Sequence, residues 1–522
     1  MGIKRYTAIS DTTITNAFKP NLTSRATGSN MGLSDSLEVF RIYGQESSSS
    51  AELSRILIKF PVTGANGGSG ASIKTDRDNS VIPASGSVSF YLRLFNAPHP
   101  FTLPRDYNLT IAAVSRSWDE GTGLDMEAYS DSGSANWSSA VSSSSGVVHW
   151  GTAGGDFHTT PKFSAYVDKG TNDLEVEITW LVEEWISGST AGAGGSTLGK
   201  ENEGVGIYMT NESAYSSSYT KKYFARDSEF FFKRPVIEAR WESAKKDNRG
   251  NFYYSSSLAP AADNLNVLYL YNYVRGRLVD IPGLGSDNKL YVSLYSGSGD
   301  NAVPTGSALR LSKGGGTVAN LDINATGSKV STGIYSCSLA LTAASTHGNT
   351  TLTTIFDIWH TSSDGVDTDV KVRNGTIYHT GTITPVVLNS SDIKPYKKYA
   401  CNITNLRHAY YKDETVQFRV YTRERDWNPN IYSKAVANPA VNYIDSASFK
   451  VIRVVDESDV VAFGTGSDRH THLSYDLSGS YFDLDMALLQ PGYAYGIKFA
   501  FYDSAVATWN EYPDVFKFRV ED

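Results

Sequence analysis

The sequence predicts an all-β protein made of several β-sandwich domains. Short runs in which every second residue is apolar recur along its 522 residues, and such alternation places one face of a strand in a core. Aromatic residues make up 12% of the chain, with 32 Tyr among them, and these side chains favour strands. The 45 Gly and many Ser residues separate the runs, as turn residues do. Helical periodicity is nearly absent.

Six runs predict strands most clearly, and they are spread from one end of the chain to the other. Each is short, alternates apolar with polar residues, and is bounded by Gly, Asn, Asp, Ser or Pro. The predicted strands are Arg55–Phe60, Val88–Leu94, Leu174–Ile178, Leu290–Tyr295, Val416–Tyr421 and Val515–Val520.

One segment, Thr179–Ile186, has the character of a short helix. Thr179 can cap its N-terminus, and Gly188 can end it. Trp180 and Trp185 are five residues apart, so they do not lie squarely on one helix face. We expect one or two turns that lie across the end of a sandwich.

Two interruptions of the strand pattern divide the chain into three predicted domains. A polar run follows Arg240-Trp241, and a second polar run, Asn389–Asp392, precedes Pro395. The two later domains have about the size of an immunoglobulin-like sandwich. The predicted domains are 1–241, a jelly-roll-like β-sandwich, and 242–390 and 391–522, each an immunoglobulin-like β-sandwich.

Charge and composition argue against several classes of function. The net charge is −8 and no long basic run is present, so the sequence offers no clustered cations for nucleic-acid phosphates. The most basic short stretch, Lys245–Arg249, is interpreted as a solvated linker. No run of about 18 apolar residues suggests a membrane span. The first residues lack the apolar region of a secretory signal, so we expect synthesis in a cytoplasm.

The sequence offers no recognised catalytic motif. A nucleophile elbow, a phosphate-binding loop, a zinc-protease helix and a Cys-x-x-Cys pair are all missing from it. Cys337 and Cys401 fall in different predicted domains and are interpreted as small apolar strand residues. We therefore expect a protein that is not an enzyme and uses no cofactor.

Two groups of polar residues were weighed as metal sites. His470 and His472 have the spacing that puts both imidazoles on one side of a strand, where they can bind zinc together with Asp468 or Asp476. A polar loop is the favoured alternative. The acidic residues between Asp357 and Asp369 could bind calcium through oxygen, but they lack the spacing of a known calcium loop. No metal site is therefore predicted.

Tyrosines supply the positive signal for binding. Tyr269, Tyr271 and Tyr273 alternate on a predicted strand and share a face, and Tyr253 and Tyr254 lie shortly before them. A tyrosine that is buried on one side and keeps its hydroxyl in water is an effective interface anchor. A core face capped by hydroxyl groups is the alternative interpretation.

Several stretches of the first predicted domain follow the order of a known module. The most specific is Trp118-Asp119-Glu120-Gly121, a tryptophan followed by an acidic turn, and Trp185 lies in the helical element. Together these stretches resemble the DNRLRE-type β-sandwich module of carbohydrate-associated and cell-surface proteins. The resemblance implies that the acidic turn belongs to the fold, and its adjacent carboxylates cannot easily flank one glycosidic bond. The other matching stretches are Asp11–Ile14, Asn30–Gly32, Ser36–Val39, Arg55–Phe60 and Gly204–Ile207.

A second resemblance concerns the segment 251–264 and the Leu-Tyr-Leu-Tyr-Asn-Tyr run after it. These residues are similar to virion proteins of marine bacteriophages. The resemblance implies a virion structural protein of the tail, neck or capsid, which docks in multiple copies among other virion proteins. A carbohydrate- or receptor-binding adhesion protein, with a host-surface glycan as partner, is the alternative. Neither nucleic acid nor a membrane is expected as a partner.

Overall fold

The computed structural model shows an all-β chain of sandwich architecture, which confirms the predicted fold class. Strands dominate because alternating apolar side chains bury one face of each run. The structure describes residues 1–42, 51–63, 72–99, 104–125, 134–143, 146–188, 199–210, 212, 219–284, 290–297, 303–304, 308–315, 323–342, 352–361, 375–386, 398–425, 431, 444–504 and 506–522.

The N-terminal unit is a sandwich of two antiparallel sheets around one large core. One sheet has the order β1-β13-β5-β10, and the other has the order β12-β3-β4-β11-β6-β9, with β2 paired to β4. A short ribbon, β7-β8, lies beside them. The strands are β1 (Ile3–Thr7), β2 (Ser10–Thr15), β3 (Ser36–Ile42), β4 (Glu52–Lys59), β5 (Ser89–Leu94), β6 (Tyr107–Val114), β7 (Ser139–Ser143), β8 (Gly146–His149), β9 (Phe157–Val167), β10 (Leu174–Glu177), β11 (Val205–Met209), β12 (Tyr219–Phe224) and β13 (Val236–Arg240).

Two helices are found in the described part of this unit, α1 (Ile73–Asp78) and α2 (Thr179–Gly188). The second is the helix that the sequence predicts, and it packs next to β5. Trp185 is fully buried whereas Trp180 is 60% exposed, so the two indoles do lie on different faces. The Thr179 hydroxyl accepts a hydrogen bond from the backbone N–H of Phe90, which attaches the helix to the sheet.

The middle unit consists of antiparallel strands that pack around a second core. Its sheet has the order β14-β20-β19-β17-β21-β22, with β18 paired to β20, and the ribbon β15-β16 projects from it. The strands are β14 (Asn266–Tyr271), β15 (Tyr273–Val274), β16 (Arg277–Leu278), β17 (Leu290–Gly297), β18 (Leu311–Ser312), β19 (Ala325–Ser331), β20 (Ile334–Leu341), β21 (Thr354–His360) and β22 (Ile377–Ile383).

The C-terminal unit is again a two-sheet sandwich, with an aromatic-rich core. Its sheets have the orders β23-β25-β29-β28 and β24-β32-β30-β26-β27, with β31 paired to β30. Among the named strands of the described residues, β24 and β32 form the one parallel pair. The strands are β23 (Tyr399–Ile403), β24 (Ala409–Tyr411), β25 (Thr415–Glu424), β26 (Ala447–Arg453), β27 (Asp459–Val461), β28 (Ser474–Asp476), β29 (Gly479–Asp485), β30 (Ala494–Asp503), β31 (Thr508–Glu511) and β32 (Phe516–Glu521).

All six predicted strands are confirmed, each within a few residues of its predicted ends. The interpretation of Lys245–Arg249 as a solvated linker is wrong. Asp247 is buried, and the backbone of Lys245 and Asp247 exchanges hydrogen bonds with Tyr475 of β28. The polar run is therefore attached to the C-terminal unit. The second predicted boundary, near 387–396, lies outside the described residues.

Candidate functional site

The tyrosine-rich segment is divided between two surfaces. Tyr269 and Tyr271 lie on β14 with ring centroids 6.2 Å apart, and the hydroxyl of Tyr271 is 3.2 Å from the hydroxyl of Tyr481 on β29. These two rings therefore lie at the contact between the middle and C-terminal units. Tyr273 does not share their face. It belongs to the ribbon β15-β16 and is 61% exposed, because the chain leaves the sheet after Asn272.

The contact between the middle and C-terminal units, here called the tyrosine junction, also contains buried charge. Arg249 Nη2 lies 2.5 Å from Asp357 Oδ2, and the indole N–H of Trp359 donates to the same oxygen at 2.8 Å. Asp357 is fully buried. Burial raises the pKa of Asp247, whose carboxylate accepts the backbone N–H of Arg249, to about 6. The junction is thus held by polar groups as well as rings.

Tyr253 and Tyr254, the other tyrosines predicted at an interface, are half-buried within the middle unit. The backbone N–H of Tyr253 donates to Asn266, and the hydroxyl of Tyr254 donates to the carbonyl of Leu352 at 3.5 Å. Burial raises the pKa of both phenols. They lie apart from the exposed ribbon that carries Tyr273.

The ribbon ends in a two-residue turn. Arg275 and Gly276 both have positive φ, 51° and 79°, as the reversal of a tight hairpin requires. Gly276 faces open space, so the turn protrudes. Tyr273 pairs with Leu278, and Val274 pairs with Arg277.

The β19–β20 hairpin supports this ribbon from the side. The N–H of Asn272 donates to the carbonyl of Gly333 at 2.8 Å. A Cβ on Gly333 would lie 2.7 Å from the backbone nitrogen of Val279, so glycine permits the close approach. Lys329 pairs with Asp280 at 2.6 Å, which connects the two hairpins. The ribbon is thus a supported projection.

The two hairpins form a surface that we call the basic tip. Four apolar side chains on it are between 42% and 61% exposed, and two arginines flank them. Within the described residues neither arginine makes an ion pair. Exposed apolar groups with a polar rim are typical of an interaction site. The basic tip consists of Tyr273, Val274, Val279, Val330, Arg275 and Arg277.

The acidic turn that carries the module resemblance lies inside the N-terminal unit. Trp118 is buried, and its indole N–H donates to the carbonyl of Glu203 at 2.8 Å. Glu120 accepts hydrogen bonds from the backbone N–H of Asp11 and from Nε and Nη2 of Arg226. Burial raises the pKa of Asp11 to about 7 and also raises the pKa of Glu120.

The other residues of this turn are fixed by backbone contacts. The carbonyl of Asp119 accepts the N–H of Ala135, while its side chain is exposed. Gly121 has φ +83°, and a Cβ there would lie 2.5 Å from the side chain of Asn30. That side chain in turn accepts the N–H groups of Gly32 and Gly123. The turn joins distant parts of the sandwich.

The candidate metal ligands around His470 and His472 do not assemble into a site. His470 Nδ1 is 3.0 Å from Asp468, whereas His472 lies beside Glu242 and holds the pKa of that carboxyl below its usual value. No group of three or more His, Cys, Asp or Glu side chains in the described residues is arranged to hold a metal. The structure thus brings His470 and Asp468 together but directs His472 to Glu242 in the linker. The acidic residues from Asp364 to Asp369 lie outside the described ranges.

The structure reveals a buried ion network that the sequence did not predict. Glu238 of β13 accepts hydrogen bonds from Arg5, Arg93 and Arg240, and it is almost fully buried. Burial opposes its ionisation, but the three guanidinium groups outweigh that effect and lower its pKa. Arg240 also lies 3.7 Å from Asp468, so the network reaches the C-terminal unit.

Both cysteines are free and buried in strands of different units, as predicted. Burial raises the pKa of the Cys337 and Cys401 thiols to about 12, so both stay protonated at neutral pH. Within the described residues, neither helix has the length and apolar character needed to cross a lipid bilayer.

Comparisons with known proteins add little to these observations. No family model and no curated protein matches the sequence. Among solved structures, the fibronectin(III)-like modules of Clostridium thermocellum CbhA are similar to 54% of this chain and 92% of that chain, at 11% identity and a TM-score of 0.14. A TM-score this low supports no argument about function.

Proposed function

We propose that this chain is a structural subunit of a bacteriophage particle, associated with the tail, neck or capsid, which docks in multiple copies and presents surface loops. The proposal rests on one contrast. The contacts between the units are buried, whereas the side chains of the basic tip are exposed. Sandwiches that are joined by buried contacts and carry an exposed apolar surface suit assembly. The resemblance of residues 251–264 to phage virion proteins supports the same proposal.

The basic tip fits a neighbouring copy of the same chain. The chain has 55 acidic against 47 basic residues, so another copy offers a surface that is acidic on balance. Arg275 and Arg277 can meet such a surface while Tyr273 and Val274 bury apolar area. Contacts between different faces of identical subunits generate rings or extended arrays.

Particle composition tests the proposal. Mass spectrometry of purified particles is expected to find this chain in many copies, and its absence from intact particles would refute the proposal. The variant Tyr273→Ser is expected to reduce incorporation by about tenfold or more, because it removes a central aromatic anchor. Tyr411→Ser is the matched control, since Tyr411 is 58% exposed but lies on the C-terminal unit. Equal incorporation of both variants would exclude the tip as the docking surface.

The second candidate function is carbohydrate or receptor binding. It is favoured by an aromatic-walled cleft between the N-terminal and C-terminal units, which opens beside β1 and β29.

A further inference from the structure

A cleft of about 560 Å³ separates the N-terminal unit from the C-terminal unit. Its walls come from β1, from the segment Phe231–Lys233, and from the end of β29. Ligand pockets for small molecules usually have a volume of about 300–1,000 Å³ and often lie between domains. The cleft therefore has the size and the position of a binding site.

Four of the side chains that line the cleft are aromatic. Phe95, Phe231, Phe232 and Trp241 line it, and Phe231 is 53% exposed. The rings of Phe231 and Phe232 meet edge to face with centroids 5.4 Å apart, so each ring constrains the orientation of the other. An exposed ring held in this way can bury the apolar face of a ligand.

Two carboxylates from the C-terminal unit also line the cleft. Asp483 and Asp485 are two residues apart on β29, so their side chains point to the same face. One oxygen of Asp483 accepts from Gln417 at 3.3 Å, and one oxygen of Asp485 accepts the N–H of Ala487 at 3.0 Å. Neither carboxylate makes an ion pair in the described residues. Each therefore keeps an oxygen that can accept a hydrogen bond from a ligand.

The two cationic side chains in the cleft already have partners in the chain. Lys4 pairs with Asp76 at 2.7 Å, and Arg5 pairs with Glu238 at 2.7 Å. Since Asp76 and Glu238 neutralise these two cations, the charged side chains of the lining that stay open to a ligand are the carboxylates of Asp483 and Asp485. Carboxylates accept hydrogen bonds from the hydroxyl groups of a neutral sugar and repel an anionic ligand.

We infer that this cleft binds a neutral saccharide. One face of the sugar ring packs on Phe231, and its hydroxyl groups donate to Asp483 and Asp485. The inference deepens the second candidate function and is independent of particle membership. Failure to bind sugar would therefore leave the structural proposal intact, and absence from particles would leave the saccharide site intact.

Binding of the full chain to an array of neutral, anionic and cationic oligosaccharides tests the inference, followed by calorimetric titration of any sugar retained. Phe231→Ala and the paired change Asp483→Asn with Asp485→Asn are each expected to weaken binding by about tenfold or more. The Asn side chains keep the oxygens that accept from Gln417 and Ala487. Phe230→Ala is the matched control, because this neighbouring ring is 48% exposed but does not line the cleft.

Saturable binding of a neutral sugar that is lost in the Phe231 and aspartate variants, and kept in the Phe230 variant, supports the inference. A blank array overturns it. Binding confined to charged sugars, or binding that these variants leave unchanged, also overturns it. Thermal unfolding of each variant shows whether lost binding comes from the cleft or from lost folding, and a variant that unfolds early is replaced by Phe231→Leu.

Discussion

Tyr271 and Tyr273 are two residues apart, yet one lies at a contact within the chain and the other on an exposed surface. Tyr271 lies at the tyrosine junction, where its hydroxyl meets that of Tyr481 at 3.2 Å. Tyr273 lies on the basic tip and is 61% exposed. Alternation alone assigns both residues to one face, but the strand is interrupted at Asn272, which separates them. One tyrosine-rich segment thus supplies both a contact made within the chain and a contact left for a partner.

The tyrosine junction and the basic tip also differ in how deeply their charged groups are buried. At the tyrosine junction Asp357 is fully buried and depends on Arg249 and the indole of Trp359. Next to the basic tip, Asp280 pairs with Lys329 in contact with solvent. Changes at the junction should therefore affect folding, and changes at the tip should affect only binding.

The largest expected effect comes from Arg249→Met. This change leaves Asp357 buried without its cation, and breaking a buried ion pair in this way costs about 3–5 kcal/mol. Denaturant unfolding of the variant should show this loss in the free energy of unfolding. Arg277→Met on the basic tip is the control and should change the free energy by less than about 0.5 kcal/mol. Similar losses in the two variants would remove the distinction between the regions.

The second prediction concerns pH and Asp247. Its folded-state pKa, about 6, lies above its ordinary value of 3.8, so the folded chain prefers the protonated acid. The stability that this group contributes is present below about pH 4 and is lost as the pH rises through about 6, at roughly 1.4 kcal/mol per pH unit. Asp247→Asn should abolish that loss and stabilise the chain at pH 7. The measurement is the difference in free energy of unfolding between variant and native chain from pH 4 to 8.

The contribution of Asp280, which lies next to the basic tip, to the free energy of unfolding should depend on pH with the opposite sign. The ammonium of Lys329 and the N–H of Gly333 hold the pKa of this carboxyl below its usual value. Its contribution is therefore present above the ordinary pKa and is lost as the pH falls through the lowered one. The difference in free energy of unfolding between Asp280→Asn and the native chain should become smaller at acidic pH. If the free energies of unfolding of Asp247→Asn and Asp280→Asn, each relative to the native chain, changed with pH in the same direction, the pKa directions of both carboxyls would be contradicted.

The strands were predictable because their signal is local. Val416–Tyr421 alternates apolar with polar residues, and the observed strand extends it only to Thr415–Glu424. The status of Lys245–Arg249 was not predictable in this way, because its charges resemble a solvated run. Its burial depends on Tyr475, which lies more than 200 residues later in the chain. Local patterns identify elements, whereas long-range contacts decide which surfaces remain open.

The candidate sites follow the same rule. Tyr273 was identified from its residue type, but its separation from Tyr271 depends on the break between β14 and β15 at Asn272. The cleft was missed because Phe231 and Asp485 come to line one cavity only after two units pack together. The run Phe230–Phe232 was the one local signal for it, since three consecutive aromatic residues cannot all enter one core.

The smallest expected effect comes from removing a single hydroxyl in each region. Tyr271→Phe deletes the contact with Tyr481 and should lower the free energy of unfolding by about 1 kcal/mol. Tyr273→Phe should leave it unchanged within about 0.5 kcal/mol, because that hydroxyl has no partner in the described residues. The double variant Tyr271→Phe with Tyr481→Phe isolates the pair, since the two losses should not add when the hydroxyls bond to each other. Strict additivity would mean that the two hydroxyls do not interact, and the junction would then depend on Arg249 and Asp357 without them.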